Sequence, residues 1–357
     1  MRENMNKENR IHSSEFYELK DTNLKLCVSE EKDISNIYDT ILNNNYGFCC
    51  LQNSKNTISG VLYKEDINKI ENDRNKMISI SKSNIFYCDR EISNFDIDYT
   101  FYRQPHKYIP LIDSNNTFKG IIANKRPLFY SPRQNAVLIM AGGLGPRLRP
   151  YTEKTPKSLL EIAGISILER ILFYFRYYGF RTFYISVNYL AENIKNKIGD
   201  GSQFGIKIEY IHEKNRLGTA GALSLISRPK HPILVTNGDL LMDVDLNKFL
   251  YIHNKRQSTA TMCTYRYAYQ IPYGVVQSDN DRYMGTIEKP MHYFHINTGL
   301  YCISPNTWDY FRKAEKLDMP TLFERIHSNG DNVDTYSHIG KWMDIGTVET
   351  YHKLQHQ

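Results

Sequence analysis

Residues 136–164 read AVLIMAGGLGPRLRPYTEKTPKSLLEIAG, the densest concentration of chemistry-bearing residues in the chain. The first five are a short, fully apolar run, the pattern of a buried parallel strand. Gly142, Gly143 and Gly145 follow at once. A backbone left open by glycine just past a strand presents N–H groups that can cradle phosphate oxygens. Arg147 comes two residues later and Lys157 ten after that. Together they supply fixed positive charge where a triphosphate would develop and shed charge. A Gly-rich loop also serves as a tight turn, so alone it proves little. The spacings G-x-G-x-x-G and GK[ST] are absent, which disfavours dinucleotide binding and P-loop hydrolysis. A second signal is Asn237-Gly-Asp239, which ends the apolar run PILVT. A carboxylate at a strand's carboxyl end sits in the cleft of an α/β sheet and suits Mg²⁺, which takes one or two carboxylates plus phosphate oxygens. Asp243 and Asp245 are expected to cap the next helix instead.

The elements that must position these groups follow from periodicity. Strands are expected at residues 136–140, 182–187, 206–211 and 233–236, with a helix over 167–178 and helical segments between the others. That alternation predicts an α/β sheet of parallel strands. A boundary is expected near residues 125–134, where KRPLFYSPRQ carries two prolines and three basic residues. Before it lie two half-patterns. In the first, a helix over DISNIYDTILNN presents Ile34, Ile37, Ile41 and Leu42 on one face, then come strands at 48–51 and 57–62 around a turn at 53–56. Asp66 is placed to cap the helix after them. The second half repeats strand, turn and strand at 108–112, 113–117 and 118–122, an internal repeat of paired units.

Composition narrows the function classes. The 357 residues suffice for two or three domains, and 41% are hydrophobic, enough for a packed core. The net charge of +6 is spread along the chain, so a nucleic-acid partner is not expected, whereas anionic small substrates are. Six cysteines show neither a C-x-x-C pair nor zinc spacing, and are read as reduced thiols of a cytoplasmic protein. The opening MRENMNKENR is too polar for a signal peptide, and no apolar run approaches the ~20 residues of a membrane span.

The segment 136–164 resembles the signature of sugar-phosphate nucleotidyltransferases, G-G-x-G-[ST]-R-L-x-P-x-T…P-K. Pro146 stands where Ser or Thr is usual, removing a hydroxyl and an N–H; Ser158 stands where a Pro is usual. Further motifs match in the family's order across nearly all of residues 135–357. The resemblance implies a Rossmann-like α/β domain with a mixed, mainly parallel sheet, and transfer of a nucleoside monophosphate from an NTP to a sugar 1-phosphate with release of pyrophosphate. It implies Arg147, Lys157, Asp239 and Lys289 as catalytic groups and Mg²⁺ on Asp239 and Asp344. Gly142, Gly143, Gly145, Glu213, Gly218, Thr219 and Gly221 would hold the nucleotide; read without the resemblance, Thr219 is an ordinary helix cap. Gly274, Glu288, Asn297 and Thr298 would hold the sugar. Residues 20–125, through YGFCCLQNSKNTISGVLYKEDI and YIPLIDSNNTFKGII, resemble a tandem CBS (α+β) module. Such a pair implies an adenine nucleotide or a dimerising role, hence a homo-oligomer. A narrower resemblance is to CBS-fused guanylyltransferases acting on hexosamine 1-phosphates in legionaminic acid synthesis, through TNGDLL, DMPTLFE and W-x-D-I-G. It implies GTP and glucosamine 1-phosphate. Thymidylyl, uridylyl or cytidylyl transfer to another sugar phosphate, or an inactive nucleotide-sugar sensor, are the alternatives.

Overall fold

The computed structural model describes residues 16–19, 26–84, 101, 106–113, 115–124, 130–162 and 164–355. The chain divides between Phe129 and Tyr130 into two compact units. Of the interdomain segment expected at 125–134, residues 125–129 lie outside the described residues, as does Cys88.

In the first unit, β2 (Cys27–Ser29), β3 (Phe48–Gln52) and β4 (Ile58–Tyr63) form one sheet, and β1 (Phe16–Leu19), β5 (Tyr108–Ile112) and β6 (Phe118–Asn124) another. The hairpins β3–β4 and β5–β6 are near copies, sixty residues apart. Asn53 Oδ1 accepts from the N–H groups of Lys55 (2.9 Å) and Thr57 (3.2 Å), and Asp113 Oδ1 from those of Asn115 (3.0 Å) and Thr117 (2.8 Å). Asn56 and Asn116 both turn at φ 58°, a left-handed conformation that asparagine tolerates. These turns engage Thr57 and Thr117, so β4 starts at Ile58, one residue later than expected.

Strand β3 is buried on both faces. Phe48 and Cys50 join Val61, Ile109 and Ile121 in one cluster, while Cys49 and Leu51 join Ile37, Ile41 and Met77 in another. Burial pushes the Cys49 thiol up to about 12, consistent with a reduced, inert core residue. The helix Ile34–Leu42 inserts Ile37 and Ile41, but Leu42 is 53% exposed. At 100° per residue Leu42 falls off the edge of the stripe, which corrects the expected four-residue face. Asp66 makes no side-chain cap bond to the helix Ile67–Ile70; its buried carboxylate closes a capping box on the 3₁₀ turn Lys64–Asp66 by accepting from Tyr63 N–H (3.1 Å), and also accepts from Asn84 Nδ2 (2.7 Å) and Lys69 Nζ (3.0 Å).

The second unit is built on a seven-stranded sheet in the order β11-β10-β7-β12-β17-β14-β18. The strands are β7 (Ala136–Met140), β10 (Thr182–Val187), β11 (Lys207–His212), β12 (Ile233–Asn237), β14 (Ala260–Gln270), β17 (Met291–Ile303) and β18 (Val333–His338). All run parallel except β17, which is antiparallel to both neighbours. Val137, Leu138 and Ile139 are fully buried, as an apolar run in a sheet covered on both faces requires. Helix Ile167–Tyr177 starts from a capping box: Glu169 N–H donates to Ser166 Oγ (3.3 Å) and Ser166 N–H to Glu169 Oε2 (3.1 Å).

Three small pieces complete this unit. The pair β8 (Glu161–Ile162) and β9 (Ile165–Ser166) precedes that helix. The pair β13 (Leu240–Met242) and β19 (Trp342–Asp344) lies beyond β12. Past the sheet, residues 266–270 of β14 stay paired with 291–295 of β17 as a two-stranded arm, carrying the hairpin of β15 (Gly274–Asp279) and β16 (Arg282–Glu288). Among the described residues no helix is long and apolar enough to cross a membrane.

Candidate active site

The adjacent parallel strands β7 and β12 end side by side, and their loops meet. Gly238 N–H donates to Met140 O (2.9 Å), and a Cβ on Gly238 would lie 2.8 Å from that oxygen, so only glycine fits between Asn237 and Asp239. The loop 141–145 runs beside it. Gly145 adopts φ 57° and its carbonyl accepts from Leu148 N–H (3.0 Å) and from Thr152 Oγ1 (2.7 Å). Pro146 opens the 3₁₀ turn Pro146–Leu148, a first-turn position suited to its fixed φ. That turn carries Arg147. Lys157 opens a second such turn, and its Cβ would lie 3.2 Å from a Cβ on Gly145.

The short ribbon β13–β19 sets the two carboxylates side by side. Leu240 pairs with Asp344, and Ile345 N–H donates to Asp239 O (3.0 Å). Lys157 reaches between them: its Nζ bonds Asp239 Oδ2 and lies 3.6 Å from Asp344 Oδ1. Asp239 Oδ1 and Asp344 Oδ1 are buried without a hydrogen-bond partner. Burial, and then the charge of Asp239, push the Asp344 carboxyl up from its ordinary value, against the pull of Lys157 and Arg147. Gly346 leaves room here, since a Cβ on it would lie 3.1 Å from Asp344 Oδ2 and 3.2 Å from Arg147 Nη2.

Two adjacent carboxylates with orphaned oxygens are a poor arrangement unless a cation joins them. No group of three or more His, Cys, Asp or Glu side chains forms a cage among the described residues. The two orphaned carboxylate oxygens would suit a hard divalent cation such as Mg²⁺, which takes one or two carboxylates plus phosphate oxygens. Asp245 caps the helix Leu246–Lys255 through Asn247 N–H (2.9 Å) and Lys248 N–H (3.2 Å). Asp243 does not: its Oδ1 accepts from Lys341 N–H (2.7 Å) and pairs with His338 (2.9 Å), tying down the segment before β19.

A second group lies around Glu213. Its buried carboxylate accepts from Ser186 Oγ and from Leu217 N–H (2.8 Å). Asn188 Nδ2 donates to Glu213 O (2.7 Å), and Asn188 Cβ would lie 3.3 Å from a Cβ on Gly142, linking this loop to the glycine loop. Gly218 and Gly221 pack on the backbone of residues 315–318; Cβ atoms there would lie 2.7 Å from Leu317 O and 2.6 Å from Glu315 O. Thr219 does not cap its own helix. Its N–H donates to Asp318 Oδ1 (3.0 Å), and its Oγ1 accepts from Met319 N–H (2.8 Å), so it caps the helix Met319–Ser328 from outside. Asp318 belongs to the DMPTLFE segment, to which spacing alone assigned no contact.

The four expected sugar-side residues divide. Thr298 is buried with its hydroxyl donating to Cys263 O (2.9 Å), and Asn297 donates to Tyr301 Oη (2.7 Å). Trp342 Nε1 donates to Thr298 O (2.9 Å), which brings this bend beside β19. Gly274 and Glu288 pair across β15–β16 on the arm, with Lys289 next at φ 47°. Among the described residues, no hydrogen bond or ion pair ties these three to the carboxylate pair.

Asn188, Thr152 and Asp318 went unassigned by sequence reasoning. Their partners lie far along the chain or on the main chain, where side-chain type and spacing carry no signal. Thr152 alone had one, as the Thr of P-x-T.

The chain matches the nucleotidyl transferase family over residues 136–357. It is 31% identical over 235 residues to a UTP–glucose-1-phosphate uridylyltransferase of Synechocystis sp., covering 60% of this chain and 61% of that protein. It is 29% identical over 223 residues to a mannose-1-phosphate guanylyltransferase of Mycobacterium tuberculosis, covering 60% of this chain and 62% of that protein. The chain thus spans about three fifths of the length of these curated relatives. Among solved structures, HddC from Yersinia pseudotuberculosis aligns with a TM-score of 0.49 at 25% identity, covering 62% of this chain and 98% of that one. With the match extending over well more than half of its residues, the chain belongs to the nucleotidyl transferase family.

Proposed function

We propose that the chain transfers a nucleoside monophosphate from an NTP to a sugar 1-phosphate, releasing pyrophosphate. The observation that carries this reading is the convergence of Arg147, Lys157, Asp239 and Asp344 beside the glycine loop at the carboxyl ends of β7 and β12. Their charges cancel two against two. A divalent cation held by Asp239 and Asp344 restores a net positive field and, when bound, polarises the α-phosphate and screens its charge. A phosphate oxygen of the sugar 1-phosphate attacks the α-phosphorus in line, the bond to the β-phosphate bridging oxygen breaks, and pyrophosphate leaves with that electron pair. A phosphate dianion needs no general base, so the protein's work is alignment and charge neutralisation.

The roles we assign are those the resemblance implies. N–H groups of Gly142, Gly143 and Gly145 cradle phosphate, with Arg147 on the β- and γ-phosphates. Lys157 neutralises the α-phosphate. Glu213, Gly218, Thr219 and Gly221 shape the base pocket. Lys289 orients the attacking phosphate, while Gly274, Glu288, Asn297 and Thr298 border the sugar. GTP and glucosamine 1-phosphate, for legionaminic acid and surface glycan synthesis in the cytoplasm, are the substrates we favour. The residue resemblance supports them, together with relatives named as guanylyltransferases. Residues 135–357 form the catalytic domain in this reading. Residues 20–125 form a tandem CBS-like module that dimerises the chain or takes an adenine nucleotide, supported by the sixty-residue hairpin repeat. The test is pyrophosphate release with Mg²⁺ from four NTPs against several sugar 1-phosphates. Release with thymidine or uridine triphosphate alone would reassign the base; no release from any pair would overturn the activity.

A further inference from the structure

The carboxylate pair already holds a cation that belongs to the protein. Lys157 Nζ bonds Asp239 Oδ2 and stands 3.6 Å from Asp344 Oδ1, and its side chain is only 13% exposed. Its backbone turn borders Gly145, so one long side chain can serve two places, the acidic pair and the phosphate loop. An ammonium in contact with these oxygens occupies the space and screens the charge that a divalent cation needs.

We propose that Lys157 and a divalent cation are alternative occupants of the Asp239–Asp344 pair. Lys157 holds the pair in the free protein and releases it when a nucleotide phosphate gives the ammonium a new partner. Metal binding is thereby tied to nucleotide binding, and the free protein takes up the metal ion poorly. This rests on the reading of Asp239 and Asp344 as metal ligands and adds an order of assembly to it. Arg147 Nη2 and Asp344 Oδ2 both border Gly346, 3.2 Å and 3.1 Å from the position of a Cβ there.

The test uses the full chain and Mn²⁺ alone, with no nucleotide. Bound Mn²⁺ is read by water-proton relaxation and free Mn²⁺ by electron paramagnetic resonance. Lys157→Met removes the ammonium at nearly constant volume. We expect it to bind Mn²⁺ at least about tenfold more tightly than wild type, a factor that corresponds to about 1.4 kcal/mol. Lys157→Gln supplies the same comparison should the methionine variant fold poorly. Lys157→Arg retains a cation and stays near wild type. Adding Asp239→Asn to Lys157→Met abolishes the gain. A ratio of wild-type to variant dissociation constants below about tenfold, or a gain that survives Asp239→Asn, overturns the proposal. Because no turnover is measured, a chain that transferred no nucleotidyl group to any substrate would leave this result standing. Activity with no Mn²⁺ difference would sink the exchange alone.

Discussion

Thr152→Val isolates what the glycine loop contributes. Valine keeps the branched shape of threonine and removes only the hydroxyl. Thr152 is 1% exposed, and its Oγ1 donates to Gly145 O at 2.7 Å. That carbonyl also accepts from Leu148 N–H at 3.0 Å, so the substitution leaves it with one partner rather than none. The cost therefore falls near the low end of the range for a buried hydrogen bond, about 1 kcal/mol. Gly145 sits at φ 57° and is held there by the Thr152 side chain on one side and Lys157 on the other. The loss should appear as a loosened phosphate loop rather than a loosened fold. KM for the preferred NTP should rise about fivefold, with kcat within about twofold of wild type. The melting temperature should fall by no more than about 2–4 °C. Steady-state kinetics with varied NTP at saturating sugar 1-phosphate measures the split. A kcat reduced tenfold at unchanged KM would show that Gly145 acts in the transition state alone, and unchanged kinetics would show that it does not border the nucleotide. Either result would overturn this role for the Thr152–Gly145 bond.

Other predictions rest on separate parts of the molecule. Burial pushes His253, which bridges Thr261 Oγ1 and Ser304 Oγ at 2.8 Å each, down to about 4. Its proton is then bound in the unfolded chain but not in the folded one between pH 6.5 and about 4, so stability is lost as pH falls through that window. The loss approaches about 3 kcal/mol at the lower end. Urea titrations across the window check this, and His253→Gln should flatten the slope. Gly221→Ala should destabilise the second unit by about 1–3 kcal/mol, because its Cβ would sit 2.6 Å from Glu315 O; an unchanged urea midpoint would contradict the packing described. A truncation to residues 131–357 should keep wild-type specific activity, since every phosphate, metal and sugar motif lies there; a folded but inactive fragment would show that the first unit completes the site.

Strand positions at the sheet centre were legible because a fully buried parallel strand is written as an unbroken apolar run. AVLIM marks β7 to the residue in this way; TFYISV marks β10, although Thr182 and Ser186 interrupt the run. The glycine loop and Asp239 were conspicuous for the same reason, since each closely follows such a run, while Arg147 and Lys157 were picked out by charge and by the motif they share with that loop. Asp344 was reachable only through resemblance. It lies on a three-residue strand, and what brings it to Asp239 is pairing with β13, a long-range contact that no local period encodes. The arm of β14 and β17 was invisible to alternation, since Tyr267, Tyr269, Tyr293 and Phe294 are exposed and the inside-outside pattern is lost. Thr219 misled: it has the side chain of a helix cap, yet it bonds the start of a helix a hundred residues on.

That Asp239 and Asp344 hold a divalent cation for nucleotidyl transfer is the proposal on which the other roles depend. It is tested most directly by pyrophosphate release at saturating Mg²⁺ from wild type, Asp239→Asn and Asp344→Asn. Both substitutions keep shape and remove one charge each. We expect release by wild type with at least one NTP and sugar 1-phosphate pair, and a loss of at least about a hundredfold in each variant, corresponding to about 2.7 kcal/mol of transition-state stabilisation. Near-normal turnover in either variant, with the fold intact by circular dichroism, would contradict it.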